Sequence, residues 1–183
     1  VASEDFTVPE GFETARLRAR PPRVSDAPAI FETYASDPTV TRYLAWRHYR
    51  DLAPLEEFLR QSETNWATGQ GHRPYLLTLK SDGRPIGSIG FDRNAGKVVF
   101  GYVLGPAYWG KGYMSEALAF LVDWALAQPG IFRAWAFCDV ENPASARVME
   151  KAGMSREGLL RRWHVCPEQG PDPRDCLVYA KVR

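Results

Sequence analysis

Two rhythms of apolar residues divide this chain. Leu17 and Ala19 alternate with Arg16, Arg18 and Arg20, the period of a half-buried strand, and Pro21-Pro22 stops it. Ser25 or Asp26 then suits the cap of a helix reaching about Ala35, whose face is Ala27, Ile30, Phe31 and Tyr34, with Asp37-Pro38 as its end. Leu55, Phe58, Leu59 and Trp66 predict a second helix, closed by Gly69 and Gly71. From Tyr75 the period changes to short strands, Tyr75 to Leu79, Pro85 to Phe91 and Lys97 to Leu104. The separators Ser81-Asp82-Gly83-Arg84 and Asp92-Arg93-Asn94-Ala95-Gly96 are turn sequences. Connections this short force an antiparallel meander.

Helical spacing returns with Met114, Ala117, Leu118, Leu121, Val122 and Ala125, and Gln128-Pro129-Gly130 ends it. The next strand, Phe132 to Cys138, follows a crossover long enough to lie parallel to Lys97 to Leu104 with the usual right-handed connection. Asn142 suits an N-cap and Pro143 the first position of a further helix; Ala144, Val148 and Ala152 form its face, and Gly153 fits its exit. Two strands, Leu159 to Cys166 and Cys176 to Lys181, close the chain. Val1 to Phe12 has no periodicity and is expected to be a loosely held leader, leaving 13–183 as one domain. The pattern is a mixed α/β arrangement of the α+β type, mostly antiparallel with one parallel strand pair.

Composition narrows the partners. At 183 residues, 45% apolar and 13% aromatic, the chain can bury one substantial core. Lysine plus arginine (23) nearly balances aspartate plus glutamate (22), and no run of five like charges occurs, so neither nucleic acid nor an anionic membrane is expected as partner. No apolar stretch approaches the ~20 residues that span a bilayer, and no signal-peptide order is present, so a cytoplasmic protein is expected. Cys138, Cys166 and Cys176 make an odd set without C-x-x-C spacing, which suits reduced thiols; a Cys166–Cys176 disulfide across the turn-rich Pro167 to Arg174 is the alternative. His164-x-Cys166 with Cys176 lacks a recognised ligand spacing, so no metal is expected.

Candidate chemistry gathers at Tyr108-Trp109-Gly110-Lys111-Gly112-Tyr113-Met114, between a strand and a helix. Two glycines one residue apart let successive N–H groups point into one concavity, the helix N-terminus makes it more positive, and Lys111 adds a charge. An ordinary tight strand-to-helix turn has the same sequence. Ser115 stands where a dinucleotide fingerprint needs its third glycine, and a P-loop is excluded by the missing Gly-Lys-Ser/Thr ending. The aromatic run Tyr43 to Tyr49 suits either a packed corner or a substrate-facing wall.

Phe100-Gly101-Tyr102-Val103-Leu104, the glycine turn, Glu116-Ala117-Leu118 and Glu141-Asn142-Pro143-Ala144-Ser145-Ala146-Arg147-Val148-Met149-Glu150-Lys151-Ala152-Gly153 closely resemble the GNAT acyltransferases, in the branch of the RimJ and RimL N-terminal acetyltransferases. Thr14 to Arg20, Ser36-Asp37-Pro38, Glu157 to Arg161, Arg174-Asp175 and Tyr179 extend the likeness over nearly the whole chain. The resemblance implies a mixed, mostly antiparallel sheet flanked by helices and splayed between Lys97 to Leu104 and Phe132 to Cys138. Acetyl-CoA would lie in that gap, held by Tyr102, Val103, Leu104, Trp109, Gly110, Lys111, Gly112, Tyr113, Met114, Asn142 and Ser145. The pyrophosphate would sit on the N–H groups of Gly110 to Met114, and the strand edge at Tyr102 to Leu104 would bond the pantetheine amides as an added strand. A homodimer is a further family-level expectation.

The implied reaction moves an acetyl group from the thioester to an amine, on a protein N-terminus or a small molecule. It needs a proton acceptor, an oxyanion donor and a proton for the leaving thiolate. A backbone N–H at Val103 or its neighbour suits the oxyanion, and Ser145 the thiolate. Many members place a glutamate two residues before the strand glycine, where this chain has Val99; Ala107 likewise replaces a common Gln or Arg. The base is therefore unassigned, with Asp92, Glu141, His72 and His164 near enough to consider. The alternative is a catalytically weak acyl-CoA-binding regulatory module, motivated by Val99, and a nucleotide-binding module stands behind both.

Overall fold

The computed structural model describes residues 6–183. Its frame is an eight-stranded sheet: β1 (Phe12–Glu13), β2 (Leu17–Arg20), β3 (Tyr75–Leu79), β4 (Pro85–Asn94), β5 (Lys97–Leu104), β6 (Arg133–Asp139), β7 (Ser155–Val165) and β8 (Pro173–Val182). The spatial order is β1-β2-β3-β4-β5-β6-β8-β7, so the last strand inserts beside β6 and leaves β7 at the edge. Every neighbouring pair is antiparallel except β5 and β6. That parallel pair is short: only Lys97, Val98 and Val99 face Arg133, Ala134 and Trp135. Beyond Val99 the two strands separate, and the gap lies between the C-terminal halves of β5 and β6.

Helices cover both faces. α4 (Tyr113–Ala127) and α5 (Pro143–Lys151) lie on one; α1 (Ala27–Ile30) and α3 (Leu52–Thr68) lie on the other. Strand alternation decides which core each residue joins: Leu77 packs with Leu118, Leu121 and Met149, whereas Leu76 packs with Ile30, Leu55 and Leu59. The predicted apolar series of α4, Met114 to Ala125, is buried throughout. Each fully buried leucine there contributes about 1.5–3 kcal/mol. No helix among the described residues is long and apolar enough to cross a membrane.

Several expectations change. The first helix has the expected extent but changes type along it: a 3-10 turn (Val24–Asp26), α1 and a π-turn (Phe31–Ala35) follow one another without a gap, and the Asp26 carboxylate, engaged by Arg20 and by the Arg23 N–H, does not cap α1. Asp37 ends that run and also caps α2 (Pro38–Thr41), accepting from the Thr39 N–H at 2.8 Å. β4 runs three residues past Phe91, since Ala95 and Gly96 both take positive φ and make the hairpin turn alone. Of the expected leader, residues 1–5 lie outside the described residues, and the rest is anchored. Phe6 packs on Trp124 (5.3 Å between ring centroids), the Tyr75 hydroxyl donates to Pro9 O at 2.6 Å, and Phe12 is buried and stacks on Phe120.

Candidate functional site

A cavity of about 1480 Å³ runs from the glycine turn through the gap between β5 and β6 to the aromatic connection before α3. Gly110 and Gly112 adopt φ of 74° and 79°, the left-handed region a Cβ disfavours. Gly112 precedes α4 without any side-chain cap, so the first N–H groups of a 15-residue helix stay available at the cavity wall. The turn is buttressed from β2 and the residues before it. Glu116 accepts from Thr14 Oγ1 (2.5 Å), the Arg16 N–H (2.9 Å) and Arg16 Nε (2.7 Å), while Arg16 NH1 donates to Lys111 O at 3.0 Å. Burial opposes ionisation of Glu116, but these donors outweigh it and hold the carboxyl below its ordinary range.

Ten of the eleven residues expected to hold acetyl-CoA line this cavity; Lys111 does not. Its Nζ sits 5.8 Å above the Tyr108 ring, and among the described residues no carboxylate pairs with it. Val103 requires a correction. Gly105 N–H donates to Ile86 O of β4, and alternation along the strand aims the N–H of Val103, two residues earlier, at β4 as well. Its carbonyl lies against Gly87, where an added Cβ would meet it at 2.3 Å. The backbone groups that face the gap are those of Tyr102 and Leu104, and Leu104 O already accepts from Trp109 Nε1 at 2.7 Å.

Side-chain hydroxyls meet at the open end. Tyr102 OH lies 2.8 Å from Ser145 Oγ, a pairing that the sequence does not reveal because the residues are 43 apart. Burial drives the Tyr102 phenol upward despite that hydrogen bond, so it stays protonated. Burial pushes the Cys138 thiol, which lines the same part of the cavity, up to about 11, with Ser145 opposing the shift. All three cysteines are free and buried, as expected of reduced thiols. Asn142 caps α5, its Oδ1 accepting from the Ser145 N–H at 3.1 Å, which leaves its Nδ2 for the cavity.

The aromatic connection is a packed corner that also borders the cavity. Trp46 and Tyr49 contact each other (5.6 Å between centroids), pack on the α1/α3 core and line the cavity. His48 gains a partner invisible in the sequence: its backbone N–H and ring Nδ1 both reach Glu168 Oε1, at 2.9 and 2.7 Å, and Thr41 Oγ1 donates to the same oxygen at 3.2 Å. These bonds tie the β7–β8 turn to Thr41 of α2 and to the connection before α3. Near the end of β6, Arg174 binds the unexposed Asp139 carboxylate through Nε and NH2 and reaches Glu141 Oε2 at 2.7 Å. His72 and Asp92 pair at 3.6 Å, half or more exposed. The His164 ring, half-buried, rests on Phe137 at 5.2 Å; burial lowers its pKa from the ordinary value, against the pull of Asp139.

A splayed sheet, a bare helix N-terminus and a hydroxyl pair at the opening define an acyltransferase architecture, and comparison with known proteins agrees. Residues 16–155 match the acetyltransferase (GNAT) domain. The chain is 31% identical over 155 residues to the uncharacterized N-acetyltransferase p20 of Bacillus licheniformis, covering 83% of this chain and 86% of that protein. A GNAT-family acetyltransferase from Bacillus anthracis superposes with a TM-score of 0.80 at 26% identity, covering 94% and 98% of the two chains. Mycobacterium smegmatis RimJ, solved with CoA-disulfide, gives 0.79 at 21% identity, covering 94% and 86%. The chain belongs to the GNAT acetyltransferases, and it shares its fold with RimJ.

Proposed function

We propose that the chain transfers an acetyl group from acetyl-CoA to a primary amine, a protein N-terminal α-amine or a small-molecule amine, by direct attack in a ternary complex. The observation that carries this reading is the Tyr102–Ser145 hydroxyl pair, 2.8 Å apart at the open end of a split sheet whose other end is an uncapped helix N-terminus. Acetyl-CoA supplies the activated acyl group when bound. The N–H groups from Gly110 to Met114 receive its pyrophosphate, with Lys111 contributing charge from beside the cavity. The gap-facing backbone of Tyr102 and Leu104, with Asn142 Nδ2, bonds the pantetheine amides. On this edge, of the N–H groups expected at Val103 or its neighbour, that of the neighbour Tyr102 or Leu104 takes the oxyanion role. Ser145 passes a proton to the departing sulfur, and the neutral phenol behind it makes the pair a relay. Three buried free thiols suit a reducing compartment such as the cytoplasm.

Calorimetry with acetyl-CoA, then thiol release with a panel of peptides and small amines and mass spectrometry of the acceptor, tests this. Micromolar binding with an acetylated amine is expected. Binding without transfer to any amine supports the second reading, a catalytically weak acyl-CoA-binding module, which Val99 on the acceptor face favours. Absence of binding refutes both.

A further inference from the structure

We propose that His164 is the general base, accepting the proton of the attacking amine on the face of the gap opposite Ser145. The proposal rests on the acetyl-transfer reading above. Successive residues of a strand point to opposite faces. On β6 these are Phe137 and Cys138: Cys138 packs in one core cluster with Ala146 and Met149 of α5, the helix that carries Ser145, whereas the Phe137 ring carries His164 at 5.2 Å. The hydroxyl pair and the imidazole therefore flank the gap-lining end of β6 from its two sides. An amine approaching on one face and sulfur leaving toward the other needs its base and acid so divided.

The local backbone places the ring there. Between Leu160 and His164, β7 advances four residues while β8 advances two, from Cys176 to Arg174. Within that bulge Arg162 takes φ of 48°, a left-handed conformation that a side chain disfavours, and its N–H donates to Asp175 Oδ1 at 2.8 Å. Bulges of this kind bend a strand and re-aim its side chains next to active sites. His164 lines the cavity, and among the described residues neither ring nitrogen has a hydrogen-bond partner. The rival bases are engaged elsewhere: Glu141 by Arg174, Glu168 and His48 by each other, His72 and Asp92 by their exposed pairing.

The charged groups around His164 are Asp139 on β6, Arg174 directly across on β8, and Glu141 beside them. Asp139 and Arg174 neutralise each other, so half-burial beside Phe137 prevails and the imidazole is uncharged at neutral pH. In the step, the amine nitrogen forms a bond to the acetyl carbon and the N–H proton moves to the free ring nitrogen of His164. The carbon–sulfur bond breaks with its electron pair going to sulfur, which takes a proton from the Ser145–Tyr102 pair. His164 returns its proton to solvent, and the hydroxyl pair is reprotonated from there.

His164→Gln, His164→Phe and His164→Glu decide the matter, with acetyl-CoA and an amine the wild type acetylates. Loss of the base lowers kcat/KM by about 10²- to 10⁴-fold. We expect that loss in H164Q, and also in H164F, which keeps an aromatic ring on Phe137; H164E recovers part of the rate, and calorimetric affinity for acetyl-CoA stays at the wild-type value. The acidic limb of the wild-type profile, inflecting below 6.5, should match the His164 imidazole titration followed by NMR, assignable because the chain has only 3 histidines. H164F or H164Q retaining wild-type turnover overturns the proposal, as does a mismatch between the kinetic limb and the NMR titration, which needs no variant to fold. A wild type that binds acetyl-CoA yet acetylates nothing overturns the acetyl-transfer reading instead, and His164's role with it.

Discussion

The phenol of Tyr102 and the hydroxyl of Ser145 share a proton-bearing contact of 2.8 Å that joins β5 to α5 across the place where the sheet divides. One residue comes from the strand edge and the other from the first turn of a helix on the far strand's exit, so the contact spans the opening. Tyr102 is held protonated by burial, which makes it a donor and excludes a phenolate base. Removing either hydroxyl should act on turnover. Ser145→Ala and Tyr102→Phe are each expected to lower kcat by about 100-fold, the low end of the usual scale of proton-transfer catalysis. The double variant should fall little further, because the two act as one relay. Thiol-release kinetics at saturating acetyl-CoA measures both.

Glycine is required at positions 110 and 112 for different reasons of the same kind. A Cβ at Gly110 meets nothing within 4 Å, so the cost of Gly110→Ala is its positive φ alone, about 1–2 kcal/mol. At Gly112 the added atom also approaches Arg16 NH2 at 3.5 Å, an ordinary contact. Both alanine variants are expected to weaken acetyl-CoA binding by more than they destabilise the fold, since any relaxation of the turn tilts its N–H groups. Calorimetry alongside urea denaturation separates the two effects.

Lys111→Ala should weaken acetyl-CoA binding modestly, because the ammonium lies beside the cavity and meets the ligand through solvent. The difference from wild type is expected to shrink as salt rises from 0.05 to about 0.5 M, where the Debye length falls well below 10 Å. A salt-independent loss would contradict this placement.

Acid stability should report the Glu116 buttress. Its folded-state pKa is depressed below the ordinary 4.5, so the stability it contributes is fully present above the unfolded value and is lost as pH falls through the lower folded value. Glu116→Gln is expected to lower stability at neutral pH and to flatten the decline between about pH 5 and pH 3. Chemical denaturation across that window checks the sign.

The Glu168–His48 tie predicts a split in kinetic constants. Glu168→Gln leaves acetyl-CoA affinity unchanged and raises KM for the amine, because the aromatic wall at Trp46 and Tyr49 loses its anchor to the β7–β8 turn. Steady-state kinetics with each substrate varied in turn distinguishes this from damage to the whole fold.

Much of the frame was readable before any coordinates. Tyr75–Leu79 and Lys97–Leu104 are β3 and β5 at their expected bounds, because period-two patterning was bounded by strong turns, and Asn142 caps α5 as its Asn-Pro start suggested. What stayed hidden depends on tertiary placement. Phe6 docks against Phe91 and Trp124, and Phe12 against Tyr75 and Phe120, and isolated anchors have no period to detect. The direction of the Val103 N–H follows from its register with β4, which no local pattern encodes. His48 meets a partner 120 residues away, and the bulge that presents His164 breaks a strand whose residues look regular.

The parallel pairing of β5 with β6 stops after three residues. Beyond that point the backbone groups on the facing edges lack the ladder partners that a continuing strand would supply. Under the proposed function an extended arm carrying its own amides would take up some of those donors and acceptors, whereas a ligand without such groups would have to leave them to water.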